Sequence, residues 1–215
     1  MRFRDRREAG ETVALGLRHL RGRHIVVLGL SPGGLVIGRE IADVLGAPLD
    51  VLLTRRIALF GPPITTLGAA GEGNVLVSNH DALRQVGITT AEFSQLAGSA
   101  RAALAKQVAG YRHALQPVPI AGQTVILADD GFATGTTAEA AIRVARARRV
   151  GKIVLAVPVG PIHTRDRLAP EVDQLVCLRP LRWMHAVRNS YHDFPAVTDA
   201  DAIAMLEREP VRAQR

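Results

Sequence analysis

One cysteine, Cys177, is all that this chain of 215 residues contains, so no disulfide can form within it, and the apolar setting of residues 174–178 marks that thiol as core. Lysine is nearly as scarce. Only Lys106 and Lys152 stand among 27 basic residues, so the basicity is carried by arginine. Aromatic residues make up 4% of the chain, as five Phe, two Tyr and one Trp, which leaves few positions that could stack on a ring. No apolar run reaches the roughly 18 residues that span a bilayer, and the opening MRFRDRREAG has no apolar segment of the secretory kind. A cytoplasmic protein that does not enter membranes is expected.

The formal net charge of +7 invites a nucleic-acid reading. Its distribution argues against one. Residues 1–23 hold seven Arg against three acids and residues 205–215 hold three Arg against two Glu, so the ends carry +5 and the body is near neutral. A solvated, Arg-rich terminal helix accounts for this, and contact of a basic arm with RNA is the alternative.

Hydrophobic content of 47% and a mean hydropathy of +0.12 suit a buried parallel sheet. Short β-branched runs at 24–30, 50–56, 122–129, 152–159 and 172–178 alternate with helical patterns at 5–20, 35–45, 90–115, 136–149 and 198–206. That order predicts an α/β fold: an open, mainly parallel twisted sheet flanked by helices. One domain spans 1–215, with a core over 24–178, a small hood from 1–22 and 179–208, and a tail over 209–215. Residues 58–79 break into Gly, Pro and Thr and read as a hairpin with a mobile loop, in which Glu72 is most simply a solvated acid. His185 and His192 have no metal-ligand spacing and read as surface residues.

The stretch VILADDGFATGTT, residues 125–137, organises the rest. An apolar strand ends in Asp129 and Asp130, and a loop of Gly131, Ala133, Thr134, Gly135, Thr136 and Thr137 opens a helix. At the carboxyl end of a parallel strand, such a loop presents backbone N–H groups and hydroxyls to an anion. It lacks the Gly-Lys-Ser/Thr ending of a Walker A loop and the spacing of a dinucleotide fingerprint. Two acids beside a phosphate cradle describe a ribose 5-phosphate, because carboxylates accept from vicinal hydroxyls and can help hold hydrated Mg²⁺. The plainer reading is a capping box, Thr136 with Glu139. A second turn, with Ser31, Gly33 and Gly34, sits after the first core strand and offers backbone N–H groups suited to a pyrophosphate.

The residues 125–137 resemble the phosphoribosyl-pyrophosphate motif of type I phosphoribosyltransferases, with weaker resemblance from about Ile25 to Leu206, and the likeness is greatest to uncharacterised bacterial phosphoribosyltransferase-domain proteins. The resemblance implies transfer of the phosphoribosyl group from phosphoribosyl pyrophosphate, with Mg²⁺, to a small nitrogen acceptor, and release of pyrophosphate. It implies that Asp129 and Asp130 face the ribose and touch the metal only through the ligand, that residues 131–137 hold the 5-phosphate, and that Ser31, Gly33 and Gly34 hold the pyrophosphate. Arg55 or Arg56, at the end of the 50–56 strand, would serve the departing pyrophosphate. Relatives often carry a basic residue before the two glycines, where this chain has Pro32. Enzymes for 6-oxopurines place an Asp where this chain has Ala133, so hypoxanthine and guanine are disfavoured as acceptors. Trp183 and Tyr191 could stack on a base or, with Phe194, dock the C-terminal segment. Homo-oligomerisation is open, and the other function class is a regulatory module that binds the ligand without turnover.

Overall fold

The computed structural model describes residues 2–59, 61, 65–184 and 186–207. His185 and the tail 209–215 therefore lie outside the described residues. Asp5 caps the first helix, α1 (Arg6–Gly16), by accepting from the Glu8 N–H, and Ala9, Val13 and Ala14 bury its inner face. Strand β1 (Ile25–Gly29) is buried throughout. Helix α2 (Pro32–Leu45) follows, capped by Ser31 and stopped by left-handed Gly46.

The run 50–56 does not form one strand. Strand β2 (Leu49–Val51) pairs in parallel with β1, and β3 (Thr54–Leu59) leaves for a second sheet. The divide falls where Leu53 donates its N–H to Glu72 Oε1 at 2.7 Å rather than to a neighbouring strand. The second sheet is antiparallel, β3 to β4 (Thr65–Gly71) to β5 (Val75–Ser78). Glu72 in its turn is buried and paired with Arg148, so it is not the solvated acid that its Gly-rich setting suggests.

A short helix, α3 (His80–Val86), is one the sequence did not announce. Next comes α4 (Thr90–Ala114), opened by a capping box between Thr89 and Glu92. It covers the outer face of the second sheet, where Ile57, Phe93 and Ala97 pack together. Strand β6 (Thr124–Ala128), helix α5 (Thr136–Ala147), strand β7 (Lys152–Pro161), helix α6 (Ile162–Leu168) and strand β8 (Gln174–Leu181) complete the main sheet. Its order is β2-β1-β6-β7-β8, all parallel. Helices α1 and α2 pack on one face through Val13, Ile37 and Ile41, and α5 packs on the other through Ala141, Ile142 and Val144. The fold is thus the expected α/β one, with the small antiparallel sheet added. The final helix, α7 (Asp199–Glu207), lies beside α2, where Met205 O accepts from Arg39 Nη2 at 2.6 Å.

Phe3, near the N-terminus, pairs with the segment that follows β8. Phe3 N–H donates to Ser190 O at 2.9 Å, and Phe3 O accepts from His192 N–H at 2.8 Å. Among the described residues no helix is long and apolar enough to cross a membrane.

Candidate active site

Strand β6 is central in the sheet and ends in Asp129 and Asp130. The turn after β1 holds Asp129 and lies against Asp130. Gly34 N–H donates to Ser31 Oγ at 2.9 Å, and Ser31 Oγ donates in turn to Asp129 Oδ1 at 2.8 Å. The two glycines exist for this approach. A Cβ on Gly34 would meet Ala128 O at 2.7 Å and Asp129 Oδ1 at 2.9 Å, and one on Gly33 would meet Asp130 Oδ2 at 2.5 Å. Helix α2 starts at Pro32, three residues before the Leu35 that the sequence suggests, so Gly33 and Gly34 lie in its first turn, and the Gly34 N–H is already engaged.

Burial pushes the Asp129 carboxyl up to about 7, and the charge of Asp130 beside it adds to the shift against the hydrogen bond from Ser31. Asp130 is also raised by burial, with the Arg6 guanidinium opposing. One cation thus faces two crowded acids. A dication is the natural complement of such a pair.

The loop 131–137 is pinned from behind. Phe132 is buried against Gly160, Thr164 Oγ1 donates to Ala133 O at 2.8 Å, and Arg167 Nη2 donates to Thr134 O at 2.7 Å. Since N–H and C=O of a trans peptide point oppositely, the amides of Thr134 and Gly135 face away from α6. Gly135 sits at φ 75° as N-cap of α5, with no side-chain cap, so the capping-box reading of Thr136 fails. Glu139 pairs instead with Arg143 and Arg167. Thr134 and Thr136 share a hydroxyl contact of 3.1 Å, while Thr137 is half-buried beside them.

Two Mycobacterium tuberculosis proteins, from strains H37Rv and CDC 1551, each named "putative phosphoribosyl transferase", are 37% identical to this chain over 206 residues, covering 96% of it. The chain belongs to the type I phosphoribosyltransferase family. It spans about half the length of these curated relatives, 46% of each. The crystal structure of TT1426 from Thermus thermophilus is 39% identical, with a TM-score of 0.77 over 96% of this chain and 98% of that one. A hypothetical protein of Neisseria gonorrhoeae, solved with bound ppGpp, shares the fold at 12% identity and a TM-score of 0.50, over 96% of this chain and 97% of that one. No family model matches the chain.

Other candidate residues of this phosphoribosyltransferase-family chain separate. Arg55 and Arg56 lie on β3 in the second sheet, not at the end of a core strand. Paired residues of a ladder share a face. Arg55 opposes Ala70, which packs with Leu104 and Tyr111 of α4, whereas Arg56 opposes Ala69, which packs with Ala140 of α5. Arg55 therefore turns away from the acids, and Arg56 turns to the α5 side. Tyr191 is buried between Phe3 and Phe194, at ring distances of 5.8 and 5.0 Å, and its hydroxyl donates to Asp130 O at 2.6 Å. That environment leaves it no face for a base. Trp183 is 79% exposed.

Arg6 is the residue that sequence reasoning missed. It was one of seven arginines in an arm read as solvated, yet it is 8% exposed and donates from Nε to Asp130 Oδ2 at 2.8 Å. One signal was available. As the first residue of α1 it places a cation at the helix end that favours anions, so its charge needs a partner elsewhere.

Proposed function

We propose that the protein transfers the phosphoribosyl group of phosphoribosyl pyrophosphate to a nitrogen acceptor and releases pyrophosphate. The observation that carries this reading is the pairing of two raised-pKa acids at the end of β6 with a loop whose carbonyls are tied back to α6. A ribose 5-phosphate needs hydroxyl acceptors and phosphate donors side by side, and this arrangement offers both.

In this reading residues 131–137 bind the 5-phosphate chiefly through backbone N–H groups. Asp129 and Asp130 accept from the ribose hydroxyls and stabilise positive charge that develops at carbon 1 as its bond to the pyrophosphate oxygen breaks and the bond to nitrogen forms. Arg56, not Arg55, is the hairpin arginine turned to serve the leaving group. Among the described residues no cluster of three His, Cys, Asp or Glu side chains forms a metal cage. Asp129 and Asp130 would reach Mg²⁺ only through the bound ligand, and the ion would supply charge neutralisation at the pyrophosphate. Trp183 is an exposed ring that a base could stack on.

One observation favours the second reading, a sensor that binds without turnover: Pro32, first residue of α2, puts no charge in the turn after β1. Pyrophosphate release measured across purine, pyrimidine and simple amine acceptors, together with calorimetry of phosphoribosyl pyrophosphate, separates the two. Binding with no release for any acceptor supports the sensor. Asp129→Asn combined with Asp130→Asn is expected to abolish Mg²⁺-dependent binding while the unfolding transition persists, and unchanged affinity overturns the site.

A further inference from the structure

Pro32 leaves the turn after β1 without a cation of its own, and the nearest side chains to that turn include the two acids. A guanidinium is nevertheless buried against it. A Cβ built on Gly33 would lie 2.9 Å from Arg6 Nε and 3.2 Å from Arg6 Nη2, beside the 2.5 Å approach of Asp130 Oδ2. Arg6 reaches this point from α1, across the sheet's carboxyl edge, and its plane is fixed three ways. Nε donates to Asp130 Oδ2, Nη1 donates to Pro195 O at 2.7 Å, and the guanidinium carbon stands 3.5 Å over the Phe194 ring. Nη2 lies on the Gly33 side of the group, on the same edge as Nε.

That last nitrogen matters because Nε and Nη2 form the edge with which arginine grips an oxyanion bidentately. Asp130 Oδ2 takes the Nε end of that edge. The other half sits at the glycine turn, rigid and charged, where the turn's own sequence supplies only proline. A buried cation at a helix N-terminus is costly, and Asp130, the Pro195 carbonyl and the Phe194 ring are the protein groups that offset it.

We propose that Arg6 is the cation of the pyrophosphate subsite: Nη2 donates to a pyrophosphate oxygen while Nε keeps Asp130 in place, so α1 supplies the charge absent at Pro32. This inference rests on the phosphoribosyl pyrophosphate reading above. Half-ligands test it separately from that reading. Inorganic pyrophosphate with Mg²⁺, and ribose 5-phosphate, are each titrated calorimetrically into the wild type, Arg6→Gln and Arg6→Lys. Expected is a loss of about tenfold or more in pyrophosphate affinity for Arg6→Gln, with ribose 5-phosphate weakened less than about threefold. Arg6→Lys should recover part of the pyrophosphate affinity, because the charge returns without the fork. Equal losses for both ligands, or none for pyrophosphate, overturn the role of Arg6. Wild type that binds ribose 5-phosphate but not pyrophosphate overturns it too, and leaves the phosphate loop standing. Wild type that binds neither overturns the functional reading and this inference with it. If Arg6→Gln does not fold, Arg6→Lys decides: a loss confined to pyrophosphate supports the role, and a loss shared by both ligands overturns it.

Discussion

Two glycine turns follow neighbouring strands of the same sheet, and they are built for opposite purposes. After β1, Ser31 caps α2 with its own side chain, and Gly33 and Gly34 are small so that Asp130 and Asp129 can close on them. After β6, Gly135 caps α5 without a side chain, and its glycine is needed for a left-handed backbone at φ 75°. The first turn uses its amides and space on protein groups. The second has its carbonyls drawn back by Thr164 and Arg167, which leaves amides facing outward. Glycine content alone therefore does not identify an anion loop. The destination of each backbone hydrogen bond does.

The difference can be broken at the glycines, with the largest effect expected at the first turn. A methyl at Gly34 meets the carbonyl of Ala128 in the central strand, which cannot retreat, so Gly34→Ala should lower stability by about 2 to 4 kcal/mol. At Gly135 the nearest obstacle is the Thr164 methyl at 2.7 Å, a side chain with some room to move, and the positive φ adds strain. Gly135→Ala should cost about 1 to 2 kcal/mol. Chemical denaturation of both variants checks the order. A greater loss at Gly135 would mean that the acids tolerate displacement and that the first turn is not their clamp.

An intermediate effect should appear with pH, and only the first turn should show it. Burial and Asp130 raise Asp129 to about 7 from 3.8, so the folded state binds more protons than the unfolded state between those values. Stability is then fully present below about pH 4 and falls as pH rises towards about 7. The contribution is about 1 to 3 kcal/mol. Asp129→Asn should flatten that part of the unligated protein's stability profile, read from denaturant midpoints at fixed ionic strength. Mg²⁺-dependent binding should run the other way, tightening across the same window because it needs the ionised form. A profile identical in wild type and Asp129→Asn would show that the two acids are not desolvated by the Ser31 turn.

How far these features could be read from sequence depended on whether their cause was local. The strand into Asp129 and the helix from Thr136 follow from a change of hydrophobic period around a glycine loop, and both stand where the pattern put them. The break between β2 and β3 has no Gly or Pro to mark it, and residues 50–56 read as one strand, apolar through Leu53. It is set by Glu72, nineteen residues away, taking the Leu53 N–H. Misplacing that break put Arg55 and Arg56 at the end of a core strand. Arg6 was harder still, because its partner Asp130 lies 124 positions along the chain. Helix α3 was missed because only Ala82 and Leu83 of its seven residues are buried, too few to show a period. The three aromatic residues near the C-terminus were equally ambiguous. Only the meeting of Phe3 with Tyr191 and Phe194 shows that the latter two serve as packing and Trp183 does not.

The smallest expected effect tests whether the second turn is a backbone cradle. Thr134 is exposed, its hydroxyl meets that of Thr136, and its carbonyl is already held by Arg167. Removing the hydroxyl should leave the loop's course unchanged, so Thr134→Ala should weaken ribose 5-phosphate by about 0.5 to 1.5 kcal/mol, one hydrogen bond, with no shift in melting temperature. Thr164→Val acts from behind. It keeps the shape of a buried side chain but frees the Ala133 carbonyl, so the following amide loses its fixed direction. If backbone amides hold the phosphate, Thr164→Val should cost at least as much ligand affinity as Thr134→Ala, although Thr164 offers its hydroxyl to the protein and not to the ligand. Titration of ribose 5-phosphate into both variants gives the ranking directly. Thr134→Ala proving much the more damaging would make the cradle one of side chains, and the contrast between the two turns would then reduce to which of them carries threonine.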